Sequence, residues 1–235
     1  MTRWHVGVIE PARDEELLLG RCLASVREAI ACSGVPADRV RVVVVADACR
    51  DATAELAARL LRGWGEVLEI DRGSAGWARH EGVGVILDGF AMVPRRQVWL
   101  ANTDADSAAP RSWLADQLQL ADSGVAAVAG VVRVDSFRDH PPLVRRRFEL
   151  CYRGPADTHP HVHGANLGVR ADAYEAAGGW PTVDLAEDQG LWQNLAAGGW
   201  PIVSTRSIVV TTSGRGVGRA RGGFADLLAA LGEDA

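Results

Sequence analysis

Residues 40–45 read VRVVVV, and this β-branched run decides the fold class. A continuous apolar run of this length is typical of a strand that is buried on both faces, as in a parallel sheet covered by helices. The run continues into Ala46 and Asp47, and a helical segment over residues 51–61 follows. The stretch therefore predicts one strand–helix unit of an α/β protein.

Strand-like and helical segments alternate on both sides of this unit. Further strands are predicted over residues 4–9, 66–70 and 97–101, and helices from Asp14 onward and over residues 75–87. The helices rest on apolar residues at near-helical spacing, which are Leu17, Leu18, Cys22, Val26 and Ile30 in the first and Leu56, Leu60 and Leu61 in the second. This order predicts an α/β fold with an open, doubly wound, mostly parallel sheet, which binds ligands beyond the carboxyl ends of its strands.

The rhythm changes after about residue 110. Helices are predicted over residues 111–120 and 171–177, around Arg145 and from Glu187, with strands over residues 125–134, 164–169 and 202–212. A loop rich in glycine and arginine covers residues 214–223, before a short C-terminal helix. We find no repeat and no linker, and we expect a single domain over residues 1–235 with two functional halves.

The composition excludes several classes of protein. With 48% hydrophobic residues and a net charge of −5, the chain is suited to a packed core rather than to disorder. All 25 basic residues are arginine, which excludes a Schiff-base lysine and a P-loop lysine. The excess of acidic residues argues against nucleic acid as a partner.

The sequence also predicts where the protein works. No apolar run approaches the ~18 residues that span a bilayer, so we expect no transmembrane segment and no signal peptide. Cys22, Cys32, Cys49 and Cys151 form no C-x-x-C pair, so we expect neither a zinc site nor disulfides. These observations predict a reduced, cytoplasmic protein. The oligomeric state stays open, a homodimer included.

Acidic residues follow the predicted strands where a parallel sheet binds its ligands. Asp47 follows the second strand, Asp104 and Asp106 follow the fourth, and Asp188 stands at a helix start. Paired carboxylates suit hard cations such as Mg²⁺ or Mn²⁺, which keep positions open for substrate phosphates. Aspartate is also favoured in capped turns, so the Asp-x-Asp pair by itself leaves both interpretations open.

Seven segments in order resemble family-2 glycosyltransferases with the GT-A fold. They lie between residues 4 and 212 and are 8–16 (VIEPARDEE), 42–53, 73–79 (GSAGWAR), 102–106 (NTDAD), 164–170 (GANLGVR), 178–180 (GGW) and Glu187-Asp188. The resemblance implies an inverting, hexosyltransferase-type enzyme that moves one sugar from a nucleotide-diphosphate sugar to a hydroxyl acceptor. The alternative is a catalytically degenerate relative that binds a nucleotide or a partner without turnover.

The resemblance implies a donor site in the half over about residues 1–110. It assigns nucleotide-sugar binding to Pro11, Ala12, Glu15, Asp47, Arg79 and Asp104. Arg79 would approach either the diphosphate or the Asp-x-Asp loop, where its permanent charge is useful. Asp106 would bind a divalent cation, Mn²⁺ or Mg²⁺, that bridges the diphosphate oxygens.

An acceptor site is implied for the half over about residues 111–235. Asp188 would be the general base that takes the proton of the acceptor hydroxyl. Glu187 would orient the acceptor or its loop, and Asn166 and His163 would contact the acceptor. An extended segment would present His163 on one face with His159 and His161. For these histidines a metal role, an acceptor contact and plain packing all stay open.

Some features depart from the family pattern. Glu10 stands where an apolar residue is usual, and Ala46 stands where many relatives carry a first acid. No Q-x-x-R-W segment follows residue 188 and no membrane helix is expected, and both absences argue against a processive polysaccharide synthase. The resemblance is therefore to the soluble, non-processive bacterial members of the family. The glycine-rich loop carries Arg215, Arg219 and Arg221, which either close over the diphosphate or are merely solvated.

Overall fold

The computed structural model describes residues 3–152, 157–183, 185–219 and 222–233. In this part of the chain the strands are His5–Ala12 (β1), Val40–Asp47 (β2), Glu66–Ile70 (β3), Val98–Asn102 (β4), Ala127–Val134 (β5), Leu167–Arg170 (β6) and Ile202–Thr212 (β7). The helices are Leu19–Cys32 (α1), Thr53–Leu60 (α2), Ala75–Gly89 (α3), Trp113–Asp122 (α4), Pro142–Cys151 (α5), Ala171–Ala176 (α6), Glu187–Ala197 (α7) and Phe224–Glu233 (α8). Short 3₁₀ turns occur at Ala37–Arg39, Arg95–Gln97 and Gly164–Asn166.

The strands form one sheet in the order β3-β2-β1-β4-β6-β5-β7. Strands β3, β2, β1 and β4 pair in parallel, and β7 is parallel to β5. Strand β6 is antiparallel to both β4 and β5, so it alone among the described strands runs against the others. The prediction of an α/β fold with a mostly parallel sheet is confirmed.

The valine run of β2 is buried on both faces of the sheet. Val42 and Val44 belong to an apolar cluster with α1 and α4 on one face. Val43 and Val45 belong to a second cluster with α3 and α7 on the other face. None of the four is more than 1% exposed. This two-sided burial explains why the strand reads as a continuous run and not as an alternating pattern.

The first helix begins later than predicted, at Leu19. The preceding segment instead contacts the start of α2, where the N–H of Glu15 lies 2.7 Å from the hydroxyl oxygen of Thr53. Leu17 therefore stays outside the helix and is 86% exposed, so its predicted place in the first helix is wrong. The apolar residues named for the second helix differ in exposure, because Leu60 is 37% exposed whereas Leu61 is 1% exposed.

The ends of the strands position the candidate site. Strands β1, β2 and β4 end at Ala12, Asp47 and Asn102. Because these strands and β7 run in the same direction, their carboxyl ends lie along one edge of the sheet, where β7 ends at Thr212. The Asp-x-Asp loop follows β4 directly, and the first turn of α7 carries Glu187 and its neighbour.

Candidate functional site

A cavity of about 420 Å³ opens at this edge of the sheet. Such a volume lies within the range of ordinary ligand pockets. Its walls contain most of the predicted site residues from both halves, namely Pro11, Ala12, Glu15, Asp47, Arg79, Asp104, Asp106, His163, Glu187 and Asp188. The predicted donor side and the predicted acceptor side therefore share one cavity.

Arg79 of α3 joins the Asp-x-Asp loop to α7. Its Nη2 lies 2.6 Å from Oδ1 of Asp104, and its Nη1 donates to Glu187. The guanidinium also lies over the ring of Trp180, 5.1 Å from the ring centre, and the Arg79 side chain is only 4% exposed. Of the two predicted environments of Arg79, the structure shows the contact with the Asp-x-Asp loop. Glu187 serves here as a counter-ion, and its contact with an acceptor stays a prediction.

Asp188 is held in place by two backbone N–H groups. Gly164 donates to its Oδ2 over 3.0 Å, and Gln189 donates to its Oδ1 over 2.7 Å. Burial raises the pKa of Asp188, and the nearby negative charge of Glu187 raises it further, against the opposing charge of Arg79. A buried carboxylate with a raised pKa is a stronger proton acceptor than an exposed one, as a general base requires.

Gly164 has a steric reason to be glycine. A Cβ at this position would lie 2.3 Å from Nη2 of Arg79, so a side chain would displace the guanidinium. The same residue supplies one N–H to Asp188. The 3₁₀ turn before β6 thus positions both the predicted base and the central arginine.

Asp106 pairs with an arginine from the glycine-rich loop. Nη2 of Arg215 lies 2.6 Å from Oδ2 of Asp106 and 2.8 and 2.9 Å from the two carboxylate oxygens of Glu15. Burial raises the pKa of Glu15 to about 7, although its bond to Arg215 acts in the opposite direction. Oδ1 of Asp106 also accepts a bond of 3.3 Å from the Thr212 hydroxyl. Arg215 is therefore a part of the site and not a merely solvated residue.

The donor set at Asp106 fits a metal that arrives with its substrate. The described residues contain no group of three or more histidine, cysteine or acidic side chains arranged to hold an ion. Mg²⁺ and related ions are commonly held by one or two carboxylates, with substrate phosphates and water as the other ligands. The Asp106 carboxylate already pairs with one positively charged group, the guanidinium of Arg215.

Asp47 organises the loop between β3 and α3. Its Oδ1 accepts the N–H groups of Arg72 and Gly73 over 2.7 and 2.8 Å, and its Oδ2 accepts the N–H of Ser74 over 2.7 Å. Gly73 has φ of +67°, which favours glycine. Asp47 lines the cavity and one of its oxygens has a single bond, so a contact with the base stays a prediction.

His163 lies in a stack of rings beside the cavity. Tyr152 stacks on His161 at 4.2 Å between ring centres, and His161 lies between His159 and His163. Burial lowers the pKa of His163 to about 3, so its ring is neutral, and its Nε2 shares a hydrogen bond with the hydroxyl of Tyr152. The three histidines do share a face, but within the described chain they form no metal cluster.

Asn166 is the correction on the acceptor side. Its side chain is 1% exposed and does not line the cavity. The amide oxygen accepts the indole N–H of Trp113 over 3.0 Å, and the amide nitrogen donates to the carbonyls of Val131 and Ile208. The predicted acceptor contact of Asn166 is wrong, because its hydrogen-bonding groups are used to join β5, β7 and α4.

Backbone strain is concentrated around the cavity. Among the described residues other than glycine, those with positive φ are Asp14, Ala48 and Ala186. They adjoin Glu15, Asp47 and Glu187, which line the cavity. Left-handed backbone at such residues is costly and is found most often at functional sites. The sequence offers no local signal for these three conformations.

Sequence reasoning missed two contacts that complete the site. The sequence does not predict the pairing of Arg215 with Asp106 or the bond from Gly164 to Asp188. Gly164 does lie in the segment over residues 164–170, and Arg215 lies in the glycine-rich loop. The arginine-rich loop was the available signal for the first contact. Arg219 is exposed, whereas Arg221 lies outside the described residues.

Comparison with known proteins identifies relatives of this site. The family model of Glycosyl transferase family 2 matches residues 8–178. The fold is similar to that of the mannosyltransferase PcManGT from Pyrobaculum calidifontis, in complex with GDP-Man and Mn²⁺, with a TM-score of 0.66 and 24% identity. It is also similar to TarS 1-349 from S. aureus in complex with UDP-GlcNAc, with a TM-score of 0.64 and 14% identity.

These two likenesses show the fold of the chain. They cover 92% and 98% of this chain, but only 58% and 66% of the mannosyltransferase and TarS chains. No curated protein matches the chain. Among the described residues, no helix combines the length and the apolar character needed to cross a membrane.

Proposed function

The chain belongs to glycosyl transferase family 2, and from this premise we propose that it transfers one sugar from a nucleotide-diphosphate sugar to a hydroxyl acceptor. The observation that carries the proposal is the shared cavity, in which Asp106 and Asp188 face the same space from the two halves of the chain. A donor diphosphate bound near Asp106 and an acceptor bound near Asp188 could then meet. We propose that both halves form a single domain for this reason.

We propose an inverting displacement in which Asp188 is the general base. The acceptor oxygen forms a bond to the anomeric carbon while its proton passes to a carboxylate oxygen of Asp188. The bond from that carbon to the diphosphate breaks, and the nucleoside diphosphate leaves with the electron pair. The raised pKa of Asp188 supports this role, because a carboxylate with a higher pKa takes up a proton more readily. A positioned base of this kind contributes about 10²–10⁴-fold in rate.

The donor end of the cavity has residues suited to a diphosphate and its counter-ion. Asp106 would hold a divalent cation, Mn²⁺ or Mg²⁺, which when bound neutralises charge on the leaving diphosphate. Arg79 pairs with both Asp104 and Glu187, so its positive charge offsets the repulsion between these two carboxylates. Pro11, Ala12 and Asp47 would border the nucleotide.

A panel of nucleotide sugars tests the proposal. The protein is mixed with UDP-, GDP- and dTDP-sugars in the presence of Mn²⁺, and released nucleoside diphosphate is measured with and without candidate alcohols. Release that depends on Asp188 supports the transferase. Nucleotide binding without release in any combination favours the catalytically degenerate binding module.

Two further predictions about the whole protein accompany this function. We propose a reduced, cytoplasmic setting, which the four free cysteines support. Formation of a homodimer stays a prediction.

A further inference from the structure

Arg215 pairs with Asp106, the carboxylate that we propose as the metal ligand. A single nitrogen, Nη2, makes three charged contacts, one with Asp106 and two with Glu15, at 2.6 to 2.9 Å. The Arg215 side chain is 18% exposed, and its two acidic partners are 8% and 20% exposed. Charged contacts of this length in a mostly buried setting are strong ones.

The backbone before Arg215 directs this side chain into the cavity. The N–H of Gly214 lies 3.0 Å from Oδ1 of Asp135, and its carbonyl oxygen lies 3.0 Å from Nε2 of His140. A Cβ at Gly214 would lie 1.9 Å from the carbonyl oxygen of Ser136, so the chain passes this point only with glycine. The base of the arginine is thus anchored, while the residues beyond it are rich in glycine.

Two of the four arginines that line the cavity, Arg79 and Arg215, are bound differently. Arg79 donates to acids through both of its terminal nitrogens and is only 4% exposed. Arg215 uses Nη2 alone, and its Nη1 and Nε have no hydrogen-bond partner among the described residues. A guanidinium recognises phosphate oxygens through two parallel N–H groups. Each parallel pair of the guanidinium, Nη1–Nη2 or Nε–Nη2, includes the nitrogen that holds the acids, so Arg215 can present a pair to phosphate only after Nη2 leaves them.

The excess of acids in the cavity favours an exchange. Its lining includes six acids and four arginines, and the acids are Glu15, Asp47, Asp104, Asp106, Glu187 and Asp188. These carboxylates repel a diphosphate unless positive charge is supplied between them. A cation bound at Asp106 and the guanidinium of Arg215 cannot both occupy the same carboxylate oxygen.

We propose that Arg215 is an exchangeable counter-ion of the donor site. In the ligand-free protein it neutralises Asp106 and Glu15; when donor binds, it yields Asp106 to a divalent cation and transfers its guanidinium to the diphosphate. This inference rests on the proposed function, because it takes the nucleotide-diphosphate sugar as the ligand. It assigns to one residue the roles of competitor for the metal and binding residue for the donor.

The exchange is tested by binding measurements that need no turnover. Mn²⁺ binding is measured by electron paramagnetic resonance without nucleotide, for the wild type, Arg215→Gln, Arg215→Lys and the control Arg145→Gln, which is exposed on α5. Binding of UDP, GDP and dTDP with Mn²⁺ is measured by calorimetry. Asp106→Asn identifies the Mn²⁺ that binds at this site.

The exchange predicts opposite effects on the two ligands. Arg215→Gln binds Mn²⁺ alone about tenfold more tightly, because its competitor is gone, and binds the nucleoside diphosphate about tenfold more weakly. Arg215→Lys keeps the charge, so its Mn²⁺ affinity stays near that of the wild type, but it also binds the diphosphate weakly. Arg145→Gln changes neither affinity.

Two results overturn the exchange. They are an unchanged Mn²⁺ affinity in Arg215→Gln and an unchanged diphosphate affinity in both Arg215 variants. If the wild type binds none of the three nucleoside diphosphates, the proposed function fails instead, and the Mn²⁺ comparison still decides whether Arg215 is a competitor at Asp106.

Discussion

The backbone N–H of Gly164 lies 3.0 Å from Oδ2 of Asp188, and the Cα of the same glycine faces the guanidinium of Arg79. Gly164 therefore lies between Asp188, the predicted base, and Arg79, which pairs with Asp104 and Glu187. This arrangement joins the 3₁₀ turn before β6 to α3 and α7, and the predictions below begin from it.

Replacing the predicted base removes turnover and spares binding. In Asp188→Asn the amide cannot take a proton from the acceptor hydroxyl, so we expect kcat to fall at least about 100-fold. Nucleoside diphosphate affinity, measured by calorimetry, should change little. Asp88→Asn, an exposed change in α3, is the matched control. Near-normal turnover in Asp188→Asn would refute the assignment.

A methyl group at position 164 should disturb the site. In Gly164→Ala the new Cβ would lie 2.3 Å from Nη2 of Arg79 and would displace the guanidinium. A shift of this size in the groups of a site lowers activity on the order of 100-fold. Gly84→Ala is the control, because nothing lies within 4 Å of its Cβ in the exposed face of α3. That change should stabilise the helix by about 0.5–1 kcal/mol. Kinetics and thermal melting of both variants measure the contrast, and equal activity would contradict it.

The acid limb of the pH profile should depend on Glu187. Burial and the charge of Glu187 raise the pKa of Asp188, and a base works only when ionised, so activity is lost as pH falls through this raised value. Glu187→Gln removes the negative charge that raises the pKa of Asp188, whereas the positive charge of Arg79 remains and favours the ionised form of Asp188. The limb of kcat should then move to lower pH, whereas Glu175→Gln, exposed at the end of α6, should leave it in place. A limb that stays or moves upward contradicts this electrostatic account.

Asn166 should matter for stability rather than for the acceptor. Asn166→Ala leaves the Trp113 indole N–H and two backbone carbonyls without partners inside the protein. The expected loss is about 2 kcal/mol, or a Tm lower by about 4–8 °C. Asn194→Ala, which removes one exposed bond to the Ala177 carbonyl, should lower Tm far less. Similar melting of both variants would return Asn166 to the list of site candidates.

Glu10 should make the protein less stable as pH rises. Burial raises the pKa of Glu10 from 4.5 to about 7, and its Oε1 has no hydrogen-bond partner. The folded state thus holds this proton more tightly than the unfolded state, so the contribution of Glu10 to stability is fully present below about pH 4.5 and is lost as pH rises through about 7.

Glu10→Gln should remove this dependence. Its gain in unfolding free energy over the wild type should be larger at pH 8 than at pH 5 in urea titrations. Glu55→Gln, exposed on α2, should show no such difference between the two pH values. A gain that is equal at both values would show that Glu10 does not titrate in this range.

Local sequence determined the sheet, the order of its strands along the chain and the place of the acids. The run over residues 40–45 predicted a strand that is buried on both faces, and Val42 and Val43 do pack on opposite sides. The side-chain period of a strand and the direction of the backbone are properties of neighbouring residues, so they can be seen in the sequence. The placement of Asp106 after β4 and of Asp188 at the start of α7 followed in the same way.

Tertiary structure alone decided which polar groups meet. Arg215 and Asp106 are 109 residues apart, and Asn166 and Trp113 are 53 residues apart. Leu17 fits a helical pattern, but the bond between Glu15 and Thr53 holds the chain out of the helix. Such pairings depend on how loops from distant elements converge at the sheet edge, and no local periodicity encodes that convergence. The sequence thus determined the framework and the acids, and the fold decided their partners.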